Sequence, residues 1–218
     1  MSAPRTGSGA GRLVAVLVVI FRVETGRLQV LLIRRSAEPF KDSWSLPGGR
    51  LPPGSSLLEA AVHRLEVETG VSEVFLEQLY TFSDLDKGES VAVAYWALVD
   101  RESARLARRN EWQPQWYDVG ELPALALQNE TVVQLALARL RNKLAYSNVA
   151  YSLLPPEFTL SQLQQAYEAI LSLVLDKRNF RKRILSLGIV EPTGRYSAEG
   201  RHRPAQMDRF RERRPVVF

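Results

Sequence analysis

Two aliphatic runs, Leu13–Phe21 and Leu28–Arg34, stand on either side of Glu24-Thr25-Gly26-Arg27. Val, Leu and Ile in unbroken series, interrupted by a Thr-Gly pair that tolerates left-handed backbone, point to a buried β-hairpin. The first run is about nine residues long, short of the roughly 20 needed to span a bilayer. Arg22, Glu24 and Arg27 follow it closely with no small-residue cleavage site, which argues against a signal peptide.

The hairpin leads into a loop from Ser36 to Gly54, stiffened by Pro39, Pro47, Pro52 and Pro53 and loosened by Gly48, Gly49 and Gly54. A helix is expected from Ser55 to Thr69, because Leu58, Ala61, Val62 and Leu65 recur at three- and four-residue spacing. Ser55 or Ser56 suits its N-cap, and Gly70 suits a left-handed C-cap. Strands are expected at Phe75–Phe82 and Val91–Val99, and at Asn110–Tyr117 with Trp112 and Trp116. Strands around a helix place this part of the chain in the mixed α/β class.

Beyond Asn129 the pattern changes. Thr131 to Tyr146 reads as a helix with Val132, Leu135, Leu140 and Leu144 on one side, followed by the stiff connector Leu153-Leu154-Pro155-Pro156-Glu157-Phe158. Four segments are expected: a disordered Gly/Ser-rich tail at 1–11, an α/β domain at 12–129, a connecting helix and linker at 130–158, and a second domain at 159–218. The chain has no cysteine, which excludes disulfides, thiolate metal sites and a cysteine nucleophile.

Charge is unevenly placed. The net charge is +5, yet 176–214 holds twelve Lys or Arg against five Asp or Glu, leaving seventeen and nineteen elsewhere. Within that basic stretch the bases alternate with a patterned apolar set. A helix opens at Thr159 with Leu163, Ala166, Tyr167 and Ile170 as its stripe. After a break near Val174-Leu175, a second helix is capped by Asp176 and ended by Gly188, with Phe180, Ile184 and Leu187 turned inward. Two short extended pieces, around 189–194 and 203–210, then make a wing with Arg201 and Arg203 near its tip. A helix pair, a wing and concentrated positive charge describe a DNA-reading module. Its candidate contacts are Thr159, Ser161, Gln162, Lys177, Arg178, Asn179, Arg181, Lys182, Arg201 and Arg203.

The segment Gly49 to Val71 resembles the Nudix box, in which helix carboxylates one turn apart hold divalent cations against a pyrophosphate. Gly49, Leu65, Glu68, Gly70 and Val71 match at the required spacing, and Trp44-Ser45-Leu46-Pro47-Gly48-Gly49 resembles the usual lead-in. Ser55, Arg64 and Val67 stand where the box has Glu, and His63 stands where it has Arg. Glu66 lies about 200° around the helix from Glu68 and is no second ligand. No catalytic residue and no bound metal are therefore expected, and Glu68 is expected on a solvated face. Arg64, on the metal-facing side, would repel a cation. A nucleotide-binding cleft is still expected, from Arg34, Arg35, Trp44, Gly48, Gly49, Glu68 and Phe82: guanidinium groups for phosphate and aromatic rings for a base.

Together the two parts resemble the Nudix-related transcriptional regulator family (NrtR), most tellingly from Leu153 to Leu160, from Leu175 to Lys182 and from Arg203 to Gln206. The resemblance implies an α+β fold: an α/β/α Nudix-like sandwich with a mixed sheet, followed by an α/β winged helix-turn-helix. It also implies a cytoplasmic, homodimeric repressor of NAD-related genes that reads a palindrome in double-stranded DNA. Its implied effector is ADP-ribose, with no cofactor required. The competing classes are a Nudix hydrolase of nucleoside diphosphate-linked substrates and a scaffold that contacts RNA. The second lacks the aromatic-studded sheet that RNA readers use.

Overall fold

The computed structural model describes residues 13–36, 38, 40–72, 74–83, 85, 90–101, 106, 112–197 and 204–218. The two aliphatic runs form β1 (Leu13–Glu24) and β2 (Arg27–Arg34), antiparallel from Phe21↔Val30 to Glu24↔Arg27. Thr25 at φ 50° and Gly26 at φ 74° form the left-handed turn that matches strand twist in a tight hairpin. The Ser36–Gly54 segment is not loop throughout. It contains β3 (Trp44–Ser45) and β4 (Gly48–Arg50). Next come α1 (Leu57–Thr69), β5 (Glu77–Phe82), β6 (Ser90–Leu98), β7 (Gln115–Asp118) and α2 (Asn129–Tyr146).

The seven strands form one sheet in the order β3-β2-β1-β6-β5, with β4 added on β1 and β7 on β2. β1 and β6 run parallel from Leu13↔Ser90 to Phe21↔Leu98, while the other pairs are antiparallel, so the sheet is mixed. Both faces are buried, which is why β1, β2 and β6 read as continuous apolar runs. Val16, Val18 and Ile20 face α1, through Ala60, Ala61 and Leu65. Val19 and Phe21 face the opposite side, where Val132, Val133, Ala136, Leu137, Leu140 and Leu144 of α2 cover the sheet. The helix spacing of α1 misleads in one respect: Leu58 and Val62 are 48% and 42% exposed, and the small pair Ala60-Ala61 is buried instead. A helix laid close on a sheet turns its small residues inward, because backbone and strand approach each other there.

The C-terminal module consists of α3 (Leu160–Leu171), α4 (Lys177–Ser186) and the antiparallel hairpin β8 (Val190–Tyr196) and β9 (Gln206–Phe210). The proline-stiffened connector is part of it. Phe158 exchanges backbone hydrogen bonds with Asp208, and its buried ring lies 5.0 Å from that of Phe210. Leu163, Tyr167, Ile170, Phe180 and Ile184 are continuous with the apolar cluster beneath α2. Arg141 of α2 also donates to the Ile170 carbonyl at 2.9 Å and to Ser172 at 3.2 Å. The last residues then return along the connector. Asn148 accepts from the Val216 N–H and donates to the carbonyls of Glu212 and Arg214, the Phe218 N–H donates to the Tyr146 carbonyl, and Arg213 donates to the carbonyls of Leu154 and Pro155.

Candidate effector cleft and nucleic-acid interface

β4 places the glycine pair against β1, with Val16↔Gly49 and Leu17↔Gly48 in register. Gly48 has φ 155°, and a Cβ there would sit 2.2 Å from the Val16 carbonyl oxygen, so only glycine fits. α1 then starts with a capping box: Ser56 Oγ accepts from the Glu59 N–H, and the Glu59 carboxylate accepts from the Ser56 N–H. It ends at Gly70, φ 81°, as the sequence predicts.

Glu68 is not on a solvated face; it is completely buried. One carboxylate oxygen accepts from the Gly48 N–H at 2.8 Å, and the other lies 3.6 Å from Nη1 of Arg64, one helical turn earlier. Burial pushes its pKa up to about 7; the Gly48 N–H and the charges of Arg64 and Arg35 pull it back toward the ordinary carboxylate range. The Arg64 guanidinium lies over Gly49, where a Cβ would come within 3.0 Å of Cζ. The box chemistry calls for several carboxylates around a divalent ion, and these residues do not fit one. Glu68 is capped by an N–H and a guanidinium, and among the described residues no three of His, Cys, Asp or Glu come together to hold a metal.

The remaining candidates differ in standing. Arg34 is partly engaged, its Nε donating to the Asp42 carbonyl at 3.3 Å and its Nη2 3.5 Å from the Asp42 carboxylate. Arg35 is held by backbone bonds to Ser43 and Asp42, and its charge reaches Glu68. Trp44 is half-buried beside Arg34 and meets Tyr117 edge-on at 5.0 Å. Phe82 is a core residue, 7% exposed and edge-on to Tyr80, because the inward face of β5 seals the sheet; it has no free face for a base. His63 is exposed. Two residues escaped the sequence reading. Arg64 was legible as a substitution in the box, but not as the partner of Glu68. Buried Asn129, whose side chain accepts from the Leu46 N–H at 2.8 Å and ties the glycine loop to α2, left no signal in the sequence.

In the C-terminal module, Thr159 and Gln162 cap α3 reciprocally: Thr159 Oγ1 accepts from the Gln162 N–H, and the Gln162 side chain accepts from the Thr159 N–H. Both are thus partly occupied by the fold, while Ser161 beside them is exposed. In the turn after α3, Glu168 accepts from the Leu175 N–H and from the Gln164 side chain, each at 2.9 Å. Asp176 caps α4 through the Asn179 N–H at 2.8 Å. Phe180 and Ile184 are buried, Phe180 meeting Tyr167 at 5.2 Å, while Lys177, Arg178, Asn179, Arg181 and Lys182 are exposed. Among the described residues no ion pair engages those four cations. The wing cations are paired: Arg209 and Arg211 with Glu191, and Arg195 with Glu157. Arg201 and Arg203 lie outside the described residues. No described helix is long and apolar enough to cross a membrane.

A two-layered sandwich on a mixed sheet, with a glycine loop leading into a capped helix and a basic winged helix packed behind it, is a Nudix domain joined to a DNA-binding winged helix. Comparison with known proteins agrees: 11–136 match the NUDIX domain and 150–210 match the NrtR DNA-binding winged helix domain. The chain is 37% identical over 205 residues to the ADPR responsive transcriptional repressor NtrR of Acinetobacter baylyi, covering 91% of this chain and 82% of that one. It superposes on Shewanella oneidensis NrtR complexed with a 27mer DNA with TM-score 0.79 and 30% identity, over 91% and 93% of the two chains. It also superposes on the NUDIX domain of that protein complexed with ADP ribose, with TM-score 0.54 and 28% identity over 62% and 94%. The chain belongs to the NrtR family of Nudix-related transcriptional regulators.

Proposed function

We propose that this chain is a cytoplasmic transcriptional repressor of NAD-related genes, a homodimer on a palindromic operator, whose DNA affinity is set by ADP-ribose bound in the Nudix cleft. The observation that carries this reading is α4. Its Lys177, Arg178, Arg181 and Lys182 stand exposed and free of ion pairs, while its Phe180 and Ile184 sit in a core shared with α2 and the sheet. Cations left unpaired on a rigidly mounted helix suit a phosphate backbone and base edges. A cleft built on the same core is mechanically linked to that helix. In this reading the cleft binds its nucleotide without hydrolysing it, because Glu68 is sealed and its carboxylate neighbours in the box are replaced.

Fluorescence anisotropy with the duplex upstream of the chain's own gene, with and without ADP-ribose and at two salt concentrations, tests the proposal. Selective binding is expected, weakening steeply with salt. Saturating ADP-ribose should shift operator affinity by roughly 5- to 150-fold, the usual span of coupling between two sites. Equal affinity for random duplex, or release of phosphate-bearing products from ADP-ribose, would return the chain to the hydrolase class.

A further inference from the structure

We infer that Arg64 takes the place of the divalent cation in this degraded box, so that the pyrophosphate of the nucleotide effector is received by a guanidinium and binds without metal. The inference rests on the effector reading above and adds to it the group that holds the ligand. A single buried carboxylate cannot attract a divalent ion from water. It does hold a monovalent side-chain cation brought to it by the same helix, one turn away. Arg64 is placed in just this way, with Nη1 3.6 Å from Glu68. Its guanidinium rests on Gly49, where the absence of a side chain leaves room for it, and any Cβ would press on Cζ, Nε and Nη2 at 3.0–3.1 Å. The side chain is 31% exposed, so one edge of the fork reaches solvent, and Nε has no hydrogen-bond partner among the described residues. A fixed, outward-facing guanidinium with spare donors is matched to two phosphate oxygens, which it grips with paired charge-assisted bonds. Arg35 is close enough for its charge to act on Glu68 and so borders the same site. Glu68 is a positioning residue: it fixes the guanidinium and leaves the phosphate to Arg64.

Calorimetric titration of the full chain with ADP-ribose, in EDTA and in Mg2+, tests this, with inorganic pyrophosphate as a second probe. Equal affinity in both buffers is expected, and this arm needs no variant. Arg64→Gln should weaken binding roughly 10- to 100-fold in both, the worth of a charge-assisted pair. Because that change leaves Glu68 buried alone, the double variant Arg64→Gln, Glu68→Gln is titrated too. It should be as weak as the single variant while keeping a cooperative melt. Affinity that requires Mg2+, or a double variant that binds like the wild type, overturns the inference and leaves the effector reading intact. Pyrophosphate binding through Arg64 without ADP-ribose binding does the reverse, and binding of neither probe removes both.

Discussion

A carboxylate that water does not reach answers to pH differently from its neighbours, and Glu68 is such a group. Its ordinary value is 4.5 and burial raises it to about 7 in the folded chain, so between those values the folded state holds the proton more tightly than the unfolded one. The stability it contributes is fully present below the unfolded value and is lost as pH rises through the folded one, by up to about 3 kcal/mol. Urea unfolding of the wild type and of Glu68→Gln from pH 5 to pH 8 reads this directly. The wild type should lose stability relative to the variant as pH rises, and a constant difference would mean that Arg64 keeps the carboxylate ionised throughout. The sequence located this site by the spacing of Gly49, Glu68, Gly70 and Val71, yet put Glu68 in solvent. What buries it is the pairing of Gly48 with Leu17, a contact between segments far apart in the chain that no local pattern encodes.

The elements whose ends are chemically marked were the ones legible in the sequence. Ser56 and Gly70 bound α1, Thr159 caps α3, and Asp176 and Gly188 bracket α4, each through a side chain or a left-handed backbone that acts locally. The short strands β3 and β4 were not legible, because Trp-Ser and Gly-Gly-Arg carry no alternation and exist only by pairing with β2 and β1. The wing was anticipated as two extended pieces, but the part played by Phe158 beside β9 depends on a partner fifty positions away by Cα pairing, Asp208. At this scale the exposed face of α4 makes the sharpest forecast. Arg178→Ala and Lys182→Ala should each weaken DNA binding nearly uniformly across sequences if they meet phosphate. Each should also lower the slope of log affinity against log salt by about 0.9. A loss confined to one operator position would instead assign the side chain to a base edge.

The molecule as a whole is held by one apolar cluster that runs from the sheet under α2 into the winged helix, reinforced by Arg141 on the end of α3. The four tryptophans, Trp44, Trp96, Trp112 and Trp116, all precede that junction. Thermal unfolding followed by tryptophan fluorescence should therefore coincide with the transition seen by far-ultraviolet circular dichroism, as for a single cooperative unit. Two separated transitions would show that the junction does not transmit stability, and would weaken the case for coupling between cleft and DNA. The backbone bonds from Val216 and Phe218 to Asn148 and Tyr146 have a further meaning for ancestry. The winged helix begins and finishes at one place, with its two ends hydrogen-bonded to each other. A module closed on itself in this way is a cassette. It is suited to being gained, lost or exchanged at the end of a helix without disturbing the host sheet, which offers a physical route by which a nucleotide-binding domain could acquire a DNA-reading one.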